Sequence, residues 1–325
     1  MSTQININER PQIDFDKYLI DMTKPTVKPS SLFSIKESIL FSMGNISVIS
    51  GVAKSRKSYL AIFLVSQILN DNKSRILYFD TEQSEWHARQ AANRVHRLME
   101  WEENLNYPNF KYYFLTELGT EERKEVFFKA MDEYRPDFVI LDGVRDLIKS
   151  INDESESGEI VMRLKKYASE HNTHICNILH TNKGDGNLRG WIGSEIQNKA
   201  ESVLNIVPEK NISRVSGRFT KNIPFDDFYI SINSDGLPEF CDASILQKDD
   251  GKLRNLFNEL LPVTSCLSFA DLRTKVMEKT GRAIRTSERY IKDATDSGIV
   301  VKNAANMYYS FDNNNSLNTD EQLPF

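Results

Sequence analysis

The sequence predicts an α/β protein with a mainly parallel sheet covered by helices on both faces, an antiparallel extension of that sheet, and a separate C-terminal unit of three helices closed by a hairpin. Three observations predict it. From Ile46 to Asn205, short β-branched or aromatic runs alternate with longer segments of helical period. Those runs are apolar along their whole length, as strands buried on both faces must be. Beyond Gln247 the strand pattern gives way to helical spacing.

Taken in order, residues 1–30 carry Pro11, Pro25 and Pro29 and no sustained period, which predicts an extended arm. The strands of the body are ISVIS (46–50), ILYFD (76–80), KYYFL (111–115), FVILD (138–142) and HICNIL (174–179). Helices fall at Tyr59 to Asn70, Glu85 to Glu100, Glu121 to Tyr134 and Glu159 to Asn172. From Ser202 to Phe240, SVLNIV, ISRVSGRF and DFYISI follow one another without helices, hence the antiparallel extension. The body is expected over 31–246, a linker, QKDDGK, over 247–252, and the C-terminal unit over 253–311. In that unit Leu253 to Leu261, Phe269 to Lys279 and Thr286 to Ser297 have helical spacing, the last stopped by Gly298. IVVK and MYYSF then form a hairpin around NAAN, the outline of a winged helix-turn-helix. The Asn-rich tail 312–325 is expected to be disordered.

The chain has 325 residues, 41 Lys+Arg and 46 Asp+Glu, giving a formal net charge of -5. No apolar run approaches the roughly 18 residues of a membrane span, and no signal-peptide pattern opens the chain, so a cytoplasmic protein is expected. Cys176, Cys241 and Cys266 offer neither a disulfide framework nor zinc-ligand spacing, and the five histidines include no HExxH pair. The charge is unevenly spread. Residues 251–310 hold ten basic and six acidic side chains, a net +4, which leaves the remainder at -9.

The strongest motif is GVAKSRKS, Gly51 to Ser58, directly after a strand and directly before a helix. It matches GxxxxGK[ST] at Gly51, Lys57 and Ser58, with Arg56 in place of the second glycine. In such a loop successive backbone N–H groups wrap a phosphate and the helix N-terminus adds positive potential. Gly51, Val52, Ala53, Lys54, Ser55, Arg56, Lys57, Ser58 and Tyr59 are therefore the candidate ATP-binding residues. Lys57 would reach the β- and γ-phosphates, and Ser58 would ligate Mg²⁺. Arg56 requires a backbone that takes the glycine conformation, with its side chain then expected to add charge near the phosphates.

Asp142 closes FVILD, where a carboxylate can serve Mg²⁺; the alternative is a turn-forming Asp-Gly pair. Glu82, in ILYFDTE, can act as general base on water, or can complement the dipole of the helix that follows. His180 closes HICNILH, and from there a glycine-rich loop, HTNKGDGNLRG, leaves the sheet. His180 is either a phosphate sensor or a structural residue. Lys183 and Arg189 either grip a nucleic-acid backbone or belong to a solvated loop.

With GVAKSRKS, YFDTE, VILDG, ILHTNKG, LRGWIGSEIQNKAESVLNI and GRFTKN in this order, the chain resembles the RecA-fold P-loop ATPases over about residues 40–240. Among them it is similar to the RepA-like and DnaB-like hexameric DNA helicases, and to AAA-type ATPases of plasmids or mobile elements. The resemblance implies that Glu82 is the catalytic glutamate, Asp142 the Walker B aspartate and His180 the γ-phosphate sensor. It also implies that Lys183 to Arg189 is a central loop facing single-stranded DNA, and that Arg218 is an arginine finger donated to a neighbouring subunit. Hydrolysis would then need a homo-oligomeric ring, expected to be a hexamer. Arg56 and Ser216 depart from the family pattern, Ser216 standing where a second cation is frequent.

Arg285, Thr286, Ser287, Arg289, Tyr290 and Lys292 give the last helix the composition of a recognition helix for duplex DNA, although winged helices also dock proteins. Two functions are therefore expected as alternatives. One is an ATP- and Mg²⁺-dependent motor on DNA, serving replication or transfer of a mobile element. The other is an ATP-controlled DNA-binding switch without unwinding.

Overall fold

The computed structural model describes residues 14, 16–70, 73–182, 186–262 and 265–311, with side chains throughout these except 245–250. In chain order the body comprises β1 (Ser31–Ile35), β2 (Ser38–Ser42), β3 (Ile46–Gly51), α1 (Lys57–Leu69), β4 (Ile76–Asp80), α2 (Glu85–Leu98) and β5 (Phe110–Phe114). There follow α3 (Thr120–Tyr134), β6 (Phe138–Asp142), α4 (Glu154–His171), β7 (His174–His180), α5 (Gly190–Lys199), β8 (Ser202–Glu209), β9 (Ile212–Thr220), β10 (Phe228–Ile232) and β11 (Pro238–Cys241). The C-terminal unit is α6 (Ser244–Leu260), α7 (Phe269–Thr280), α8 (Ile284–Asp296), β12 (Val300–Lys302) and β13 (Tyr308–Ser310).

Nine strands form one sheet in the order β11-β10-β9-β8-β3-β7-β6-β4-β5. From β8 to β5 every neighbour is parallel, and β9, β10 and β11 extend the sheet antiparallel. This is the mainly parallel sheet and extension that the alternation predicts. Side-chain alternation along each strand divides the core in two. Ile49, Tyr78, Phe110 and Ile140 pack with α1 and α2 on one face, where the β1–β2 hairpin adds Phe33, Leu40 and Phe41. Val48, Phe79, Val139 and Leu141 pack with α3, α4 and α5 on the other. Because β7 lies between β3 and β6, the carboxyl ends of β3, β7, β6 and β4 sit side by side.

Three local departures have physical causes. The β1–β2 hairpin escapes the sequence reading because its turn uses Lys36 at φ 51° rather than the expected glycine or asparagine. The α4 helix starts five residues earlier than the apolar period suggests, since Asp153 caps it by accepting from the Glu156 N–H at 2.9 Å. The α5 helix begins at Gly190, where the expected loop ends, in a stretch to which the sequence reading assigns no element; a Cβ on Gly193 would stand 2.7 Å from Leu188, so the glycine permits close packing of this helix.

The expected linker at 247–252 is corrected: it lies inside α6, which runs unbroken to Leu260. Gly251 costs that helix only about 1 kcal/mol, and Phe257, fully buried, anchors the helix in a third core with Leu272, Val276, Ile291, Ile299, Val300 and Tyr308. The α7 helix is capped by Ser268, which accepts from Asp271, and ended by Gly281 at φ 64°. Gly298, at φ 69°, stands just beyond α8, as expected. Of the N-terminal arm, residues 16–30 are exposed and carry one 3-10 turn, Asp16–Tyr18. The expectations for 1–13 and for the tail 312–325 lie outside the described residues. No described helix is long and apolar enough to cross a membrane.

Candidate active site

The phosphate loop joins β3 to α1. Arg56 takes up φ 70°, ψ 25°, the left-handed conformation for which a glycine is usual. Its side chain corrects the expectation of charge near the phosphates. The guanidinium instead turns to the β8–β9 turn, donating to the carbonyls of Lys210, Asn211 and Ile212 at 3.3, 3.2 and 3.1 Å and to Ser213 Oγ at 3.2 Å. Gly51 admits no side chain, since a Cβ would meet the Ile206 carbonyl at 2.7 Å. Ser55 Oγ is buried beside it without a hydrogen-bond partner. Val52, Ala53 and Lys54 are exposed at the crest, and Tyr59 packs away from it under the Arg94 guanidinium, 4.9 Å from the ring centre.

Lys57 is 7% exposed and donates to the carbonyls of Gly51 and Val52 at 3.1 and 2.9 Å. Burial lowers its pKa, partly offset by the charges of Asp142 and Glu82. Among the described residues it makes no ion pair. A largely desolvated ammonium held by neutral acceptors is suited to receive an anion.

Lys57 also lies 3.2 Å from His180 Nδ1. An ammonium has only donors, so Nδ1 must accept and the ring proton sits on Nε2. That nitrogen faces Glu82 Oε1 at 3.5 Å. The hydrogen bond from His180 holds the Glu82 pKa below the ordinary glutamate value, against burial, so Glu82 is an ionised carboxylate at neutral pH. An ionised carboxylate at the cleft is in the state a general base requires.

Ser58 Oγ donates to Asp142 Oδ2 at 2.9 Å, and Tyr78 donates to the same oxygen at 2.9 Å. Burial, reinforced by the charge of Asp80, raises the Asp142 pKa to about 7. Ser58 and Asp142 together present a hydroxyl and a carboxylate, the hard oxygen set that Mg²⁺ takes when it keeps most of its waters. A bound divalent cation would supply the charge that keeps Asp142 ionised.

The sequence reading missed the frame around these groups. Asp80 and Asp142 are register partners on adjacent parallel strands. Asp80 Oδ1 accepts the N–H groups of Glu82 and Gln83 at 3.0 and 2.9 Å, while Oδ2 accepts from Tyr112 at 2.7 Å. Tyr78 and Tyr112 stack with ring centres 4.4 Å apart. Asp80 thus aims the backbone that carries Glu82. The signal was present in the strand period, which puts Tyr78 and Asp80 on one face, but only strand order shows that Tyr112 and Asp142 join them. Thr81 holds the turn after β6 by donating to Asp146 Oδ2 at 2.7 Å.

Lys57, Ser58, Glu82, Asp142 and His180 are therefore brought together, and Arg145 and Arg189 line the same cleft. Arg189 was expected to serve DNA; it is exposed, but it lies at the mouth of this cleft, its N–H bonded to the His180 carbonyl at 3.1 Å. Lys183 lies outside the described residues. Arg218 does not line this cleft but a neighbouring one, with Val52 and Thr181. It is the extra residue of a bulge in β9 opposite Val203 and Leu204, and the bulge aims it at Gly186 O and Asn187 Oδ1 of its own chain.

On α8, Arg285, Arg289 and Lys292 are exposed along one face, with Thr286 and Tyr290 half-buried beside it. Ser287 is corrected. It is fully buried on the face of Ile291 and Ala294, within 3.5 Å of the Arg282 carbonyl, and cannot touch DNA. No curated protein matches the chain. Residues 34–186, which hold the phosphate loop, Glu82, Asp142 and His180, match the family model described as an AAA domain, so this segment is similar to the AAA-type ATPase domains of the P-loop superfamily.

Proposed function

We propose that the protein is a Mg²⁺-dependent ATPase that assembles as a ring on DNA, resembling the RepA-like helicases, and acts in replication or transfer of a plasmid or mobile element. The observation that carries the reading is the attachment of the 181–189 loop to the nucleotide cleft at both ends. His180 enters the loop while bonded to Lys57, Arg189 leaves it at the cleft mouth, and an antiparallel bridge between Thr181 and Leu188 pinches its base. A loop so tied would change position with the state of the γ-phosphate.

In this reading ATP lies on the backbone N–H groups after Gly51, with Lys57 on its phosphates and Mg²⁺ on Ser58 and Asp142. Mg²⁺ supplies charge neutralisation at the phosphates. Glu82 takes the proton of the attacking water, and His180, its tautomer set by Lys57, senses the terminal phosphate. Arg218 leaves its own loop to complete a neighbour's site. The C-terminal unit acts as a winged helix, with Arg285, Arg289 and Lys292 facing duplex DNA.

The test measures DNA-stimulated hydrolysis and strand displacement together. Arg218→Ala is expected to abolish stimulated hydrolysis while ATP binding persists, and full activity in that variant would remove the ring. A second reading, the ATP-controlled DNA-binding switch, is favoured by the cationic face of α8 on a unit bonded to the ATPase body. Nucleotide-dependent duplex binding without strand displacement would select it.

A further inference from the structure

Arg56 occupies a left-handed backbone position at which glycine is the unstrained choice. Its guanidinium is spent on the β8–β9 turn, where four donations reach three carbonyls and one hydroxyl between Lys210 and Ser213. That turn has only two residues between the paired Glu209 and Ile212, with Lys210 at φ 53°, so it has little freedom of its own. From its other side the turn reaches the C-terminal unit: Lys210 Nζ donates to Ser297 Oγ at 2.8 Å, and Ser297 is the residue that ends α8. One rigid turn is therefore bonded to the phosphate loop by one cation and to the cationic helix by another.

We propose that Arg56 and Lys210 make the β8–β9 turn a relay, through which nucleotide binding at the phosphate loop sets how firmly the C-terminal unit is held to the ATPase body. This rests on the nucleotide reading of the loop. Without ligand, Lys57 is folded onto the carbonyls of Gly51 and Val52. A phosphate competes for that ammonium and for the loop N–H groups, and a loop ordered by phosphate holds Arg56 on the turn for more of the time. Because Arg56 grips mainly backbone carbonyls, the nucleotide side of the relay does not depend on the side chain of Lys210. The two halves can be cut separately.

The experiment is hydrogen exchange on the full chain, with and without Mg²⁺ and a non-hydrolysable ATP analogue. The analogue is added at concentrations that saturate each variant, as established by titration of a fluorescent nucleotide. In the wild type, amides over 291–302 are expected to exchange about fivefold or more slowly with nucleotide, the lower end of ordinary coupling between sites. Lys210→Ala and Ser297→Ala, which sever one bond from opposite ends, are each expected to abolish this slowing while nucleotide affinity stays within about twofold. Arg56→Gly is expected to abolish it as well, although glycine suits the loop backbone better. Slowing that survives in all three variants, or a saturated wild type with no slowing, overturns the relay. A wild type that binds no nucleotide instead removes the reading on which the relay rests.

Discussion

Replacing Asp142 with asparagine should make the ligand-free protein more stable above neutral pH while destroying its hydrolysis of ATP. Burial raises the Asp142 pKa from 3.8 to about 7. Between those values the unfolded carboxyl has lost its proton and the folded one keeps it. Each rise of one pH unit in that window therefore favours the unfolded state by about 1.4 kcal/mol, and outside it the contribution is flat. Over roughly three units the ceiling is about 4 kcal/mol, reached above pH 7. Asparagine keeps an oxygen for the Ser58 and Tyr78 hydroxyls and carries no charge, so it lacks this penalty. The opposite pH trend comes from His174. Fully buried between the Ser42 carbonyl and the Ser47 hydroxyl, it is held below the ordinary histidine pKa, and it costs stability as pH falls below about 6.5. In the wild type the two trends oppose each other over much of the same window. Urea unfolding of both proteins from pH 4.5 to 8 measures the difference, which should be small at the acid end and approach the ceiling at pH 8. A difference that does not change with pH would mean that Asp142 is ionised throughout, and would refute the argument.

Three further outcomes are expected. Glu82→Gln should lower ATP hydrolysis by about 10²–10⁴-fold while a fluorescent nucleotide still binds, because the phosphates rest on Lys57 and the loop rather than on Glu82. Gly143→Ala would drive a methyl into Thr81 Oγ1 at a backbone φ of 108°; a loss of more than about 2 kcal/mol in urea unfolding is expected from the clash and the strained backbone together. Phe257→Ala should cost the C-terminal core about 3–5 kcal/mol, read as faster proteolysis of residues 253–311 with nucleotide binding retained.

Much of the site is legible in the order of residues because it is local. The strand, the loop and the helix at 46–69 are contiguous, and the left-handed backbone at Arg56 follows from the glycine it replaces. The destination of the Arg56 side chain does not, since its acceptors are about 155 residues away in the chain. The same limit explains Asp80, Tyr78 and Tyr112, whose partnership depends on β4 lying between β5 and β6. Ser287 is a different case. Its spacing to Ile291 and Ala294 already places it on the buried face of α8, which the polar composition of the helix does not reveal. The α5 helix has no comparable signal, because Gly190 and Gly193 are required by contacts with Ile151 and Leu188 rather than by helix propensity.

By itself the sequence determined the alternation of strand and helix, the phosphate loop, and the acids and histidine that end β4, β6 and β7. These depend on local period and on residues that are neighbours in the chain. Tertiary structure alone decided which of those ends lie side by side, that His180 carries its proton toward Glu82, that Arg218 is turned by a bulge onto its own loop, and that the β8–β9 turn joins the nucleotide site to the C-terminal unit. Each of these follows from contacts between segments far apart in sequence. Their formation depends on strand order and packing, which no local pattern encodes.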